Sequence, residues 1–241
     1  MTHHALSIKS HPEAHLPGHD SRLNLLRAAV LGANDGIVSI AGLVVGVAGA
    51  TTSSSVILTA GVAGIIAGAI SMAAGEYVSV SSQRDSEKAL LAKEAFELKN
   101  YPKEELMELM GIYAKKGLKK DTALLVAKEL TAHDAFMAHV DVELGIDPDN
   151  LTNPWHAALA SSLSFLVGAA IPLIAVIIPP EPLRVPVTFV SVIVALILTG
   201  VTSAKLGGSP IIRATLRVVV GGVIAMAVTY GIGNFFHVTG I

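Results

Sequence analysis

The chain has 241 residues, of which 52% are apolar and only 15% charged, against about 25% charged in a soluble domain. That shortfall points to an integral membrane protein. A formal net charge of −2 gives no reason to expect nucleic-acid binding, and the lack of cysteine excludes disulfides, thiolate metal sites and cysteine nucleophiles.

Residues 1–22 are polar, are broken by Pro12 and Pro17, and lack the apolar core of a secretory signal. They read as a disordered, solvated tail. Five of the nine histidines lie there: His3, His4, His11, His15 and His19. Such a tract can also bind metal.

An apolar helical hairpin follows. One arm runs from about Ala28 to Ala50 and the other from about Val56 to Val80, joined by the short uncharged linker TTSSS. Each arm reaches the roughly 20 residues a bilayer crossing needs. Glycines recur at four-residue spacing, at Gly32/Gly36, Gly42/Gly46 and Gly64/Gly68. That spacing lets helix backbones approach closely, within a subunit or between subunits.

Residues 84–150 hold most of the charge. The stretch QRDSEKALLAKEAFELKN prolongs the second arm as an amphipathic helix, ended by Tyr101-Pro102. A second helix runs to Gly117, and a third from Lys120 to Gly145. Three more apolar runs come after this insert: from about His156 to Ile178 with a kink expected at Pro172, from Val187 to Leu206, and to Phe236 from about Val218 or from nearer Ile211. PPEPLRVP reads as a tight turn and GGSPIIRATLR as a basic loop. The chain is thus expected to be an all-α integral membrane protein with five transmembrane helices. A three-helix cytoplasmic insert lies between the second and third spans. The segments are 1–22 (tail), 23–83 (spans one and two), 84–150 (insert) and 151–241 (spans three to five).

Orientation follows from the Lys/Arg bias. Arg22, Arg27, the lysines of the insert, Lys205, Arg213 and Arg217 all fall on one side of a five-span chain, and Arg184 alone on the other. The N-terminus and insert are expected in the cytoplasm and the C-terminus outside.

The chemistry-bearing residues begin inside the hairpin. A carboxylate within hydrocarbon costs at least about 2.5–3.5 kcal/mol, so an intramembrane acid usually marks an ion or proton path. Asp35 sits in the first arm, Met72 and Glu76 in the second. At about 1.5 Å per residue, Asp35 and Met72 lie some 10–12 Å deep from the same side and can face one another. A hard oxygen beside a soft sulfur suits a divalent transition metal better than Mg²⁺ or Ca²⁺. Taken alone, Met72 reads as core filler, Asp35 as an interhelical hydrogen-bonding group near Gly36, and Glu76 as an interfacial acid.

In the insert, Glu94/Glu97 and Glu105/Glu108 are i,i+3 pairs, each on one helix face, and His139/Glu143 is an i,i+4 pair with Glu129 and His133 further back. Neither Glu105 nor Glu108 has a lysine four residues on. Carboxylates from two helices and an imidazole from a third can converge on an oxygen-rich site for Fe²⁺, Mn²⁺ or Zn²⁺. The bland reading is a solvated acidic face, with Glu105 and Glu108 exposed. No Walker A loop, GxSxG, HExxH or CxxC occurs, and the dipeptide His133-Asp134 carries no weight by itself.

The segments GANDGIVSIAGLVVGV, AGAISMAAGEYVSVSSQRD and LTAHDAFMAHVDVELGI resemble the signatures of the vacuolar iron transporter (VIT) family, in its bacterial form. The resemblance spans residue 22 to the C-terminus. It implies a homodimer in the lipid membrane, with five spans per subunit and a path at the dimer interface. It also implies export of Fe²⁺ in exchange for protons. The family's translocating Asp and Met fall on Asp35 and Met72, and its metal-binding glutamates on Glu94, Glu97, Glu105, Glu108 and Glu143. His139 stands where plant-like members carry a Met, and Gly64 where they carry a mid-span acid that Glu76 can replace. A bacterial-type member belongs in a prokaryotic cell membrane. Two other readings compete: a membrane-anchored metal sensor without transport, and a di-iron oxidase. The oxidase wants Glu-x-x-His motifs, which the insert lacks.

Overall fold

A computed structural model describes residues 19–239, with side-chain surroundings from 25 to 237. The tail expected to be disordered lies outside this range up to residue 18, but residues 19–22 belong to the first helix. Among the described residues every regular element is helical: α1 (His19–Ala50), α2 (Ser54–Asn100), α3 (Pro102–Lys115), α4 (Lys120–His139), α5 (Pro154–Ile177), α6 (Arg184–Leu206) and α7 (Ile211–Thr239). A π-helical turn (Val140–Leu144) follows α4, and a 3₁₀ turn (Glu181–Leu183) precedes α6. Five of these helices, α1, α2, α5, α6 and α7, are long and apolar enough to cross a membrane.

The central helix is α1. It packs against α5, α7, α2 and α6, and 44% of its most apolar window is buried, against 17% for α2 and 11% for α7. The core gathers Ile37, Ile40, Ala41, Val44 and Val45 of α1 around Phe165, Val176, Val192, Leu196 and Met226. Close approach rests on glycine. A Cβ at Gly32 or Gly36 would strike the backbone carbonyls of Ser161 or Phe165 on α5, and one at Gly168 that of Ala33. Gly46 and Gly49 meet Thr229 and Tyr230 of α7, and Gly64 and Gly68 of α2 meet Leu43 and Phe165. The small-residue stripes are therefore used inside one subunit.

The two ends of the bundle are tied differently. At the end away from the insert, Arg184 donates to the carbonyl of Thr52 at 2.8 Å and to Ser54 Oγ, joining the α1–α2 linker to the start of α6. His237 Nδ1 lies 2.9 Å from the carbonyl of Ala50, so α7 ends there too. At the insert end, the rings of Tyr77 and Trp155 pack with centroids 4.6 Å apart and planes tilted by 50°, as in the aromatic belts of membrane interfaces.

Several boundaries shift from expectation. α6 begins at Arg184 instead of Val187, because Pro186 falls in its first turn, where no backbone N–H is needed. α7 begins at Ile211, the earlier of the two expected starts and right after Pro210, so Arg213 and Arg217 are helical and the loop before them is the uncharged stretch 207–210. α5 starts behind Asn153, whose side chain accepts from the Trp155 N–H, and runs through Pro172 to Ile177. α2 spans 47 residues without interruption, about 70 Å at roughly 1.5 Å per residue. It is both the second membrane helix and the first helix of the insert. The third helix of the insert, expected to be continuous to Gly145, is broken at Asp134 (φ −158°, ψ 99°).

Replacing Gly36 by Val should drive a branched side chain into the α5 backbone. The expected loss is about 1–3 kcal/mol, read as a lowered unfolding midpoint in detergent. Gly111→Ala, with nothing within 4 Å of the added Cβ, should leave the midpoint unchanged or slightly raised.

Candidate metal centre

Three insert elements converge on one point. Glu94 projects from the extension of α2, Glu105 from the first turn of α3, and His139 from the last turn of α4. Their donor atoms lie within 4.8 Å of one another, and all three residues are buried. His139 is fully covered, and its Nδ1 stands 3.1 Å from Glu94 Oε1, 3.6 Å from Glu105 Oε2 and 3.7 Å from Glu143 Oε2. Despite this proximity, His139 Nδ1 and Glu94 Oε1 are not aligned as donor and acceptor, and neither they nor His139 Nε2 have a hydrogen-bond partner. A buried polar group without a partner costs roughly 1–3 kcal/mol. Clustered donor atoms that do not satisfy one another suit a shared cation, with metal–ligand bonds of about 2.0–2.2 Å. Three carboxylates and one imidazole suit Fe²⁺, Mn²⁺ or Zn²⁺ by ligand type.

The electrostatics agree. Burial, and then the charges of Glu143, Glu105, Glu97 and Glu108, push the Glu94 carboxyl up to about 7. Burial, with Glu108, Glu97 and Glu143, also raises Glu105, against a small opposing pull from Lys93. The protein crowds acids around a covered imidazole with no compensating buried cation of its own among the described residues. A divalent ion would supply that charge.

The six insert residues singled out from sequence do not act alike. Glu94, Glu105 and His139 form the buried centre, and Glu143 borders it from the π turn. Glu105, expected to be exposed, is covered, because α3 folds back onto α4 and turns its first turn inward. Glu97 is drawn aside by Lys93, with Nζ 3.0 Å from its Oε2; the two are i,i+4 on α2. Glu108 is exposed, as are Glu129 and His133.

Within the spans, Asp35 and Met72 line one cleft of about 460 Å³, together with Asn34, Val38, Arg217 and Gly222. Asp35 is half-buried and accepts a 2.7 Å hydrogen bond from Ser39 Oγ, one turn along α1. Glu76 is half-buried but stands outside this cleft. Arg217 was missed from sequence as a site residue. Its signal was present: the seventh residue of a helix that opens directly after Pro210 lies about 9 Å along it. A Cβ at Gly64 would meet the Leu43 side chain, so a longer side chain there would displace that leucine.

Comparison with known proteins decides the family. The VIT family model matches residues 26–234. The chain belongs to the VIT family. It is 43% identical over 210 residues to a vacuolar iron transporter of Acanthamoeba castellanii, covering 86% of this chain and 77% of that protein. It is 37% identical over 215 residues to vacuolar iron transporter homolog 2.1 of Arabidopsis thaliana, covering 89% and 82%. To vacuolar iron transporter homolog 1 of Oryza sativa subsp. japonica it is 37% identical over 222 residues, covering 92% and 78%. The expectation of a bacterial-type member is not borne out, since these VIT relatives are amoebal and plant proteins.

The raised Glu94 carboxyl fixes the sign of a pH effect. Its folded value of about 7 lies above its ordinary 4.5, so the fold favours the protonated form. From this group, stability of the metal-free insert is greatest below pH 4.5 and falls as the pH rises towards 7, on the order of 1–3 kcal/mol. Amide hydrogen exchange across residues 120–144 should show that fall, and Glu94→Gln should flatten it. Metal affinity should move the other way and rise over the same pH window, because the ligand must shed its proton.

Proposed function

We propose that this VIT-family chain carries a divalent transition metal out of the cytoplasm in exchange for protons. Fe²⁺ is the first cargo, with Mn²⁺ and Zn²⁺ as alternatives of the same ligand chemistry. The observation that carries this reading is the shared cleft of Asp35 and Met72 inside the membrane bundle. A span that only anchors a soluble domain has no use for a carboxylate that costs about 2.5–3.5 kcal/mol in hydrocarbon. The printed names of the relatives supply iron as the first candidate.

The steps follow from the two sites. The Glu94–Glu105–His139 centre, with Glu143 at its rim, collects the ion on the cytoplasmic side, where the Lys/Arg bias places the insert. Binding replaces mutual repulsion among the carboxylates with attraction to one cation. The ion then passes to Asp35 and Met72, where oxygen and sulfur together favour a transition metal over Mg²⁺ or Ca²⁺. It leaves towards the Arg184 end, and protons return on Asp35, with Glu76 as a carrier at the inner edge. A second copy of the chain completes the path: the cleft is open on one protomer, and α2 and α7 on either side of it are largely uncovered. The membrane is cellular or vacuole-like.

A metal sensor held by inert spans is the second reading, favoured only by the buried insert site. Fe²⁺ flux into proteoliposomes with an acidic lumen separates the two. Flux should require the pH gradient and should fall at least tenfold in Asp35→Ala. Asp35→Ala carrying metal at the full rate would overturn the exporter reading. Metal binding without any flux by the intact protein would favour the sensor.

A further inference from the structure

The proposed metal centre depends on a helix break. His139 and Glu143 lie beyond a break in α4, not on the continuous run that begins at Lys120. At Asp134 the backbone leaves the helical region for an extended conformation (φ −158°, ψ 99°), and helix resumes at once. Asp134 Oδ1 accepts a 3.0 Å hydrogen bond from the N–H of Met137, three residues on. That is the geometry of an N-cap, in which a side-chain oxygen satisfies an N–H that the new helix leaves orphaned. The far end of the same segment is closed by Gly145, which takes a left-handed conformation (φ 61°) and donates its N–H to the carbonyl of Val140, five residues back. The ligand-bearing piece, residues 135–144, is thus a separately capped helix of less than three turns. Asp134 itself is exposed and is not among the grouped donor atoms.

Resting on the reading of Glu94, Glu105 and His139 as a metal site, we propose that Asp134 is a positioning residue for it: its cap starts the helix that aims His139 and Glu143 at the two glutamates. Without the break, α4 would run on in one direction with a different phase. The break resets both the axis and the phase of the last ten residues. Any side chain that caps should serve, because the requirement is an acceptor oxygen at this position, not a negative charge.

The test uses the intact protein in detergent, with Co²⁺ as a spectroscopic probe of ligand geometry. Four proteins are compared: wild type, Asp134→Ala, Asp134→Asn and Asp134→Ser. Asp134→Ala should weaken Co²⁺ binding tenfold or more and alter the visible spectrum of bound Co²⁺, while helical content stays the same. Asp134→Asn and Asp134→Ser should bind within about threefold of wild type with the wild-type spectrum, a rescue that lost charge would not give. Asp134→Ala matching wild type in affinity and spectrum would overturn the positioning role and leave the metal site standing. Asn and Ser variants as weak as Ala would also overturn it, pointing to the charge of Asp134 instead. Wild-type protein with no affinity for Co²⁺, Fe²⁺ or Mn²⁺ would overturn the site itself and this inference with it.

Discussion

Close backbone contact between α1 and its neighbours is the constraint on which the rest of this protein depends. Inside lipid, apolar side chains gain little by leaving one hydrocarbon surface for another, so association relies on packing and on polar contacts. Here glycine supplies the packing. Gly32 and Gly36 lie against the carbonyls of α5, and Gly46 and Gly49 against α7. Locking α1 in the centre holds Asp35 at one depth and one azimuth. Looser packing would give that carboxylate room to reach water or lipid headgroups, and the shared cleft with Met72 would be lost.

The insert solves the opposite problem. Its centre is small and polar, and it is buried by helices that are themselves only partly covered. Leu109, Ala123, Ala127 and Val140 are the fully buried apolar residues of the insert helices. Burial raises Glu94 and Glu105 and leaves His139 unpartnered. An apolar replacement of these residues would pack more easily. Ionisable groups that are covered and yet do not satisfy one another are costly as structure alone, and their ligand chemistry suits a cation.

Much of this was legible in the sequence, for identifiable reasons. The spans were visible because apolar runs of sufficient length have few other uses, and the continuation of α2 into the insert because no glycine or proline interrupts SSQRDSEKALLAKEAFELKN. Burial of Glu105 was not legible. Spacing of i,i+3 says which residues share a face but not what covers it. The diversion of Glu97 was legible and overlooked: Lys93 precedes it by four residues, the spacing of a helical ion pair. The break at Asp134 was hidden because Asp is a strong N-cap only if the chain before it is already ending, and LTAHDAFMAH has no glycine or proline to say so. The pairing of Arg217 with the cleft needed the start of α7, which the turn chemistry of Pro210 gives only to within a few residues.

The unbroken length of α2 sets a mechanical relation between the two sites. Met72 and Glu94 are 22 residues apart on one helix. At 3.6 residues and about 5.4 Å per turn, that is six turns plus roughly 40°, and about 33 Å. Met72 of the cleft and Glu94 of the insert cluster therefore lie on nearly the same stripe of a single rod. Their mutual bearing is a matter of integer residue count. Lengthening the rod by one residue between them would swing the upper site through about 100° and lift it only about 1.5 Å, whereas adding seven residues would restore the bearing to within about 20°. The stretch between Val80 and Lys93 thus works as a spacer whose permitted lengths come in steps of whole turns.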